Sequence, residues 1–162
     1  MTNIYLLTYL FIGLALCIMA CQPEDEDFTR IKAENEAVIA QLAHTWQIVE
    51  FRVTGQEIQD TTLINVGSLR FARCEITPQN LMGCDEGGVY QWQQSPEVTI
   101  GYGVSPSQQG LKLFIFVPKQ DHAMEGVENL HDNWTVEKLD KDSLVLSSMG
   151  GYRSRTLKLA RE

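Results

Sequence analysis

From residue 44 onward the chain is a succession of short extended segments divided by turn signals, and this pattern limits the fold more than any other feature. Eight strands are expected: about 45–53 (TWQIVEFRV), 66–75 (VGSLRFARCE), 88–94 (GVYQWQQ), 97–104 (EVTIGYGV), 111–117 (LKLFIFV), 133–139 (NWTVEKL), 143–148 (SLVLSS) and 152–159 (YRSRTLKL). The fourth alternates most clearly, with Val98, Ile100, Tyr102 and Val104 on one side and Thr99, Gly101 and Gly103 between them. Period-two alternation marks a strand buried on one face. Ser95-Pro96, residues 105–110 and Asp140-Lys141-Asp142 break the segments, and Gly150-Gly151 suits the positive φ angles of a two-residue hairpin. Only 118–131 is a long connection. Short sequential connections favour an antiparallel meander, and eight strands closing on themselves leave no sheet edge. The expected fold is all-β, an eight-stranded antiparallel up-and-down barrel preceded by one N-terminal helix. A β-sandwich is the alternative that strand count leaves open.

The helix is expected over 28–43, where Phe28, Ile31, Ala37, Val38 and Leu42 fall near helical spacing and Thr29 can cap the start. Residues 1–20 carry no charged side chain, and the 17 residues Ile4–Ala20 are almost wholly apolar. That is short for a membrane span, which needs roughly 20 residues, and suits the apolar region of a signal peptide. The stretch ends in Ile18-Met19-Ala20-Cys21, which resembles the lipobox of bacterial lipoproteins. The resemblance implies that residues 1–20 are a cleaved signal peptide. It also implies that Cys21 becomes a lipidated N-terminus carrying acyl chains such as palmitate, with a membrane as its partner. Two or three chains, at about 0.8 kcal/mol per buried methylene, hold a protein stably. An uncleaved anchor helix is the alternative. Residues 21–27 then form the lipidated Cys and an acidic spacer, since Gln22-Pro23-Glu24-Asp25-Glu26-Asp27 brings consecutive carboxylates together. The same run resembles the export signal of surface lipoproteins. The expected location is the outer membrane, lipid-anchored, facing either the surface or the periplasm.

Without residues 1–20 the chain keeps its net charge of −8. An acidic protein is a poor partner for nucleic acid, whose phosphates repel it. Arg153, Arg155, Lys158 and Arg161 form a basic cluster, expected on the solvated face of the last strand. Cys17 leaves with the signal and Cys21 takes the lipid, so Cys74 and Cys84 remain in an oxidising compartment. The turn residues Pro78, Asn80 and Gly83 lie between them, and a disulfide is expected.

Residues 44–162 form the expected β domain, and its motifs resemble the lipocalin-like domain of bacterial lipoproteins. A Trp opens the first strand after a short helix (Leu42-Ala43-His44-Thr45-Trp46-Gln47-Ile48-Val49). The Cys pair straddles an early hairpin and is followed by Tyr90-Gln91-Trp92. Near the end come Trp134-Thr135-Val136-Glu137-Lys138-Leu139, Asp142-Ser143-Leu144-Val145-Leu146 and a basic closing strand. The resemblance covers about residues 37–162, although the Gly-x-Trp of lipocalins reads His44-Thr45-Trp46 here. It implies a barrel, a small apolar ligand inside it, and an Arg stacked over Trp46, for which Arg153, Arg155 and Arg161 are the candidates. Trp46, Trp92, Trp134, Tyr90 and Tyr102 are the candidate core or ligand-lining aromatics.

No Gly-x-Ser-x-Gly occurs, and Cys74, Cys84, His122 and His131 lack the close pairs of a structural zinc site. No catalytic residue, metal or cofactor is therefore expected. Asp121-His122 and His131-Asp132 are expected to be solvated. Two functions compete: a lipoprotein that binds a small apolar ligand, and a protein- or glycan-binding module with a filled barrel.

Overall fold

The computed structural model describes residues 23–55, 59–81, 83–107, 110–118, 130–150 and 152–162. The expected signal peptide, Cys21, His122 and Gly151 lie outside these residues. Helix α1 runs Pro23–Leu42, so it starts before the expected Phe28 and takes in most of what was read as an extended acidic spacer. Proline has no amide to leave unpaired in a first helical turn, and acidic residues suit the positive end of a helix dipole. Further along, Arg30 bridges Asp27 at 3.2 Å and Glu34 at 3.3 Å, pairs that sit on one helical face.

The helix ends against the barrel. Ile39 and Leu42 are buried, and the Asn35 side-chain amide donates to the Leu81 carbonyl at 2.6 Å. The Leu42 carbonyl accepts from the His44 amide at 2.6 Å and from the Trp46 indole N–H at 2.8 Å. The last turn is thus satisfied by the strand that follows it.

Eight strands follow: β1 Thr45–Gly55, β2 Thr61–Phe71, β3 Gly83–Trp92, β4 Val98–Ser107, β5 Gly110–Phe116, β6 Asp132–Leu139, β7 Ser143–Gly150 and β8 Arg153–Arg161. Each pairs antiparallel with the next, and β1 pairs with β8 from Trp46↔Arg161 to Gly55↔Arg153. The sheet is therefore a closed up-and-down barrel, which excludes the sandwich alternative.

Two strands differ from expectation in a way that matters. β2 starts at Thr61 and stops at Phe71, so Cys74 lies in the loop beyond it rather than in the strand. β3 starts at Gly83, ahead of the expected residue 88, and has a register shift between Cys84 and Gly88. Gly83 permits this early start, because a Cβ there would lie 1.9 Å from the Tyr102 carbonyl oxygen. Cys74 and Cys84 form the expected disulfide, with Cα atoms 5.9 Å apart. The bridge closes the β2–β3 connection under the barrel end where α1 docks.

The interior is aromatic and aliphatic. Trp46, Trp134, Tyr90, Tyr102 and Phe71 are its largest fully buried side chains. A bulge between Ile48 and Glu50 shifts the phase of β1, so that Trp46 and Ile48 face inward before it and Phe51 after it.

The double variant Cys74→Ser/Cys84→Ser should unfold at lower urea, with stability reduced by about 3 kcal/mol for so short a closed loop. Equilibrium denaturation under oxidising and reducing conditions checks this, and reduction should leave the variant unchanged.

Candidate functional site

The two ends of the barrel differ. At one end β1 begins and β8 finishes, and α1 with the disulfide loop covers it. At the other, β5 leaves for the long connection to β6, and β7 turns into β8. The five predicted aromatics divide between these ends and the middle.

Trp46 sits at the covered end, fully buried, with its indole committed to the helix. The His44 ring meets it edge-on at 6.3 Å. Arg161, one of the three arginines expected to stack over Trp46, is its cross-strand partner. Its guanidinium, however, donates to the Lys141 carbonyl at 3.4 Å, and no cation stacks on Trp46 among the described residues. Arg155 cannot take that role, because it lies at the far end of the same strand.

Tyr102 is buried against Phe71, ring centroids 4.9 Å apart, and its hydroxyl donates to the Ala72 carbonyl at 2.5 Å. Burial pushes its pKa up to about 12. Tyr90 and Trp92 are neighbours on β3 at 6.2 Å, and Trp92 meets Phe51 edge-on at 6.0 Å. Trp134 is fully buried, and its indole donates to the Leu130 carbonyl at 2.9 Å. Trp46 and Trp134 therefore use one device: each donates to the carbonyl four residues before it, fixing the chain as it enters a strand. Trp92 closes β3 at the end of the barrel from which β5 leaves for β6.

Three polar side chains that sequence reading placed elsewhere, or did not single out, lie on the inward face toward that end of the barrel. Asp132 opens β6 and shares the inward face of Trp134, although it was expected to be solvated. Arg155 shares the inward face of Leu157 and Leu159 on β8, although it was expected on the outside. Their side chains are only 23% and 18% exposed, and Asp132 Oδ2 lies 3.1 Å from Arg155 Nη2. The other carboxylate oxygen accepts from the Asn133 amide at 2.7 Å. Ser148 shares the inward face of Leu144 and Leu146 on β7, is 4% exposed, and lies directly across the ladder from Arg155. Among the described residues its hydroxyl has no hydrogen-bond partner. The signal was the continued parity of each strand, outweighed by the rule that charge faces water.

His131 lies nearby but serves the wall. Its Nδ1 accepts the Val117 amide at 3.1 Å, and its ring meets Phe116 edge-on. Cys74 and Cys84 are joined at the opposite end, so they and His131 do not gather.

Two hollows indent the outside of the wall. One, of about 370 Å³, is polar and lined by residues including Gln47, Ser68, Arg70, Gln91 and Glu97. The other, of about 400 Å³, lies over Gly103 between Asp85 and the nearly parallel rings of Phe114 and Phe116.

No family model and no curated protein matches this chain. Solved structures with a similar fold include a lipocalin-like protein from Bacteroides uniformis, 14% identical, with a TM-score of 0.45 over 75% of this chain and 99% of that one. Another is Japanin from Rhipicephalus appendiculatus bound to cholesterol, 15% identical, with a TM-score of 0.40 over 74% of each chain. A third is an uncharacterized protein from Bacteroides eggerthii, 8% identical, with a TM-score of 0.39 over 75% of this chain and 99% of that one. At such identities the likeness concerns fold alone. The strand pairing of the chain itself defines the class: a closed, eight-stranded, antiparallel up-and-down barrel with one N-terminal helix.

Two measurements test these contacts. The pKa of Tyr102 is raised on folding, so the unfolded chain loses its proton first, near pH 10. Its stabilising effect is full below that pH and is lost as pH rises toward 12. Tyr102→Phe should be about 1 kcal/mol less stable at pH 8, from the lost hydrogen bond, and should weaken less between pH 8 and 11. Urea midpoints across that range give the comparison. Arg155→Met should cost about 2–4 kcal/mol by leaving the Asp132 charge half-buried. Arg155→Met/Asp132→Leu should recover most of that loss in the same assay.

Proposed function

We propose that this chain is a membrane-anchored lipoprotein of the cell envelope whose barrel binds a small, largely apolar ligand. The observation that carries the binding reading is the polar group of Asp132, Arg155 and Ser148 set into an otherwise apolar interior. Core positions of this kind are more stable when apolar, and a hydroxyl buried without a partner costs about 1–3 kcal/mol. A role in recognition accounts for keeping them, because pockets for small ligands are apolar with a few convergent polar groups. The anchoring half rests on the apolar run ending at Ala20-Cys21, and the outer membrane is the location it favours. The reading is of a binding protein and not of an enzyme.

A second reading, a protein- or glycan-binding module, draws on a separate observation. All five predicted aromatics are buried in the core, and both described hollows lie on the outer wall.

Expression of the full chain in a Gram-negative host with a clickable palmitate analogue tests anchoring. Label should enter the protein, and Cys21→Ala should lose both the label and membrane association. Native mass spectrometry of the same protein, released from detergent, separates the two binding readings. A reproducible adduct of a few hundred daltons, lost on organic denaturation, supports the ligand. A bare protein mass supports the module.

A further inference from the structure

We infer that the polar hollow on the outer wall binds a neutral carbohydrate, an assignment that rests on the protein- or glycan-binding reading and chooses the glycan.

The hollow follows from what β1, β2 and β3 carry outward. Gln47 lies directly across the ladder from Ser68, and Ser68 directly across from Gln91. Directly opposed residues hold their Cβ atoms about 4.5–5.5 Å apart, so one small ligand can reach across the row. Ser68 is a short side chain between two long ones. Beside it, a Cβ at Gly67 would lie 2.0 Å from the Gln91 carbonyl oxygen, so β2 and β3 meet closely under the floor. Short residues in the middle and long ones around them make a depression on a wall that would otherwise be convex. Its volume of about 370 Å³ falls in the range of small-ligand sites, about 300–1,000 Å³.

The lining selects the chemistry. The side chains of Gln47, Asn65, Ser68 and Gln93 have no hydrogen-bond partner among the described residues. Gln91 spends one amide N–H on the Ser95 carbonyl at 3.3 Å. Each amide offers both an acceptor and donors, and a serine hydroxyl does the same. Their match is a ligand with several hydroxyls, each able to donate and accept. No aromatic ring lines the hollow, so it lacks the apolar pocket that an aromatic anchor of a protein partner would fill. Arg70 is paired with Glu97 at 3.9 Å and Glu162 adds a further carboxylate, so an anion meets more like charge than opposite. The net charge of −8 acts in the same direction.

The backbone under these groups is fixed. Gln47, Ser68 and Gln91 stand on paired strands, the rigid kind of support a binding site requires. Asn65 and Gln93 are the non-glycine residues with positive φ among the described residues, at 52° and 48°, and both line the hollow. That conformation is uncommon outside glycine, and residues held in it cluster at binding sites. The Gln93 amide donates to the Val66 carbonyl at 2.7 Å, which holds it there.

The test uses the full chain in fluorescent phosphatidylcholine nanodiscs, which contain no sugar detergent, on a printed array of hexasaccharides. The array carries neutral gluco-, manno- and N-acetylchito-hexaoses beside acidic galacturonate and cationic chitosan hexamers. At least one neutral glycan should bind tenfold more strongly than either charged class. Ser68→Tyr, which fills the floor with a residue suited to a strand, should lower that binding at least tenfold. Gln47→Ala/Gln91→Ala should lower it at least fivefold with an unchanged Tm, and decides the matter should Ser68→Tyr not fold. Lys112→Ala, on the far wall, should leave it unchanged. Neutral binding that survives the hollow variants, or a preference for charged glycans, overturns this site and leaves a glycan-binding module standing. Binding to no glycan overturns the carbohydrate assignment, while the module reading itself stands or falls on the native mass.

Discussion

Pairing of β1 with β8 is the constraint on which the rest depends. Each strand has two neighbours, so backbone groups that would form exposed sheet edges are spent within the molecule. Closure also defines an inside. Once the sheet meets itself, period-two alternation has one meaning on every strand, and inward residues from β1 to β8 share one space. Lys158 and Glu50, 2.9 Å apart on the outer surface, mark the seam.

That space is finished differently at its two ends. At the start of β1, the Leu42 carbonyl takes the Trp46 indole proton, α1 lies over the opening, and the disulfide loop is held to the helix through Asn35. The opposite end carries an ion pair and a hydroxyl where the covered end carries carbon. Apolar residues at these inward positions would be more stable than Asp132, Arg155 and Ser148, so the two ends of the interior differ in chemistry as well as in cover.

Much of the architecture was legible in the sequence. The clean alternation of Val98, Ile100, Tyr102 and Val104 and the short polar turns determine strands joined to their neighbours. Cys74 and Cys84 flank turn residues and do pair. Closure was not legible, because strand count is the same for a sandwich. The start of β2 was hidden by a local irregularity: Asn65 adopts a positive φ of 52°, the register shifts there, and Ile64 turns outward to 69% exposure. Apolar periodicity cannot follow a strand through such a shift. The helix start was misplaced because four consecutive acidic residues read as self-repelling, yet at a helix N-terminus they are well placed. Arg155 was misassigned for a related reason. Its parity with Leu157 and Leu159 was plain, but an arginine on an apolar face reads as surface until Asp132 is seen beside it, and two strands and two turns of chain separate the two.

The seam also has a history. Glu50 and Lys158 are 108 residues apart in sequence, so the last ladder joins the two ends of the domain. Bringing distant segments together costs loop entropy before any contact rewards it, and non-local pairing of this kind slows folding. Until β8 arrives, β1 has an open edge and the core aromatics are partly bare, as in any intermediate prone to association. The covalent link between Cys74 and Cys84 and the local indole contact of Trp46 need no such long search. Such a chain would thus assemble its helix-capped end early and spend its most vulnerable interval as an unclosed ribbon.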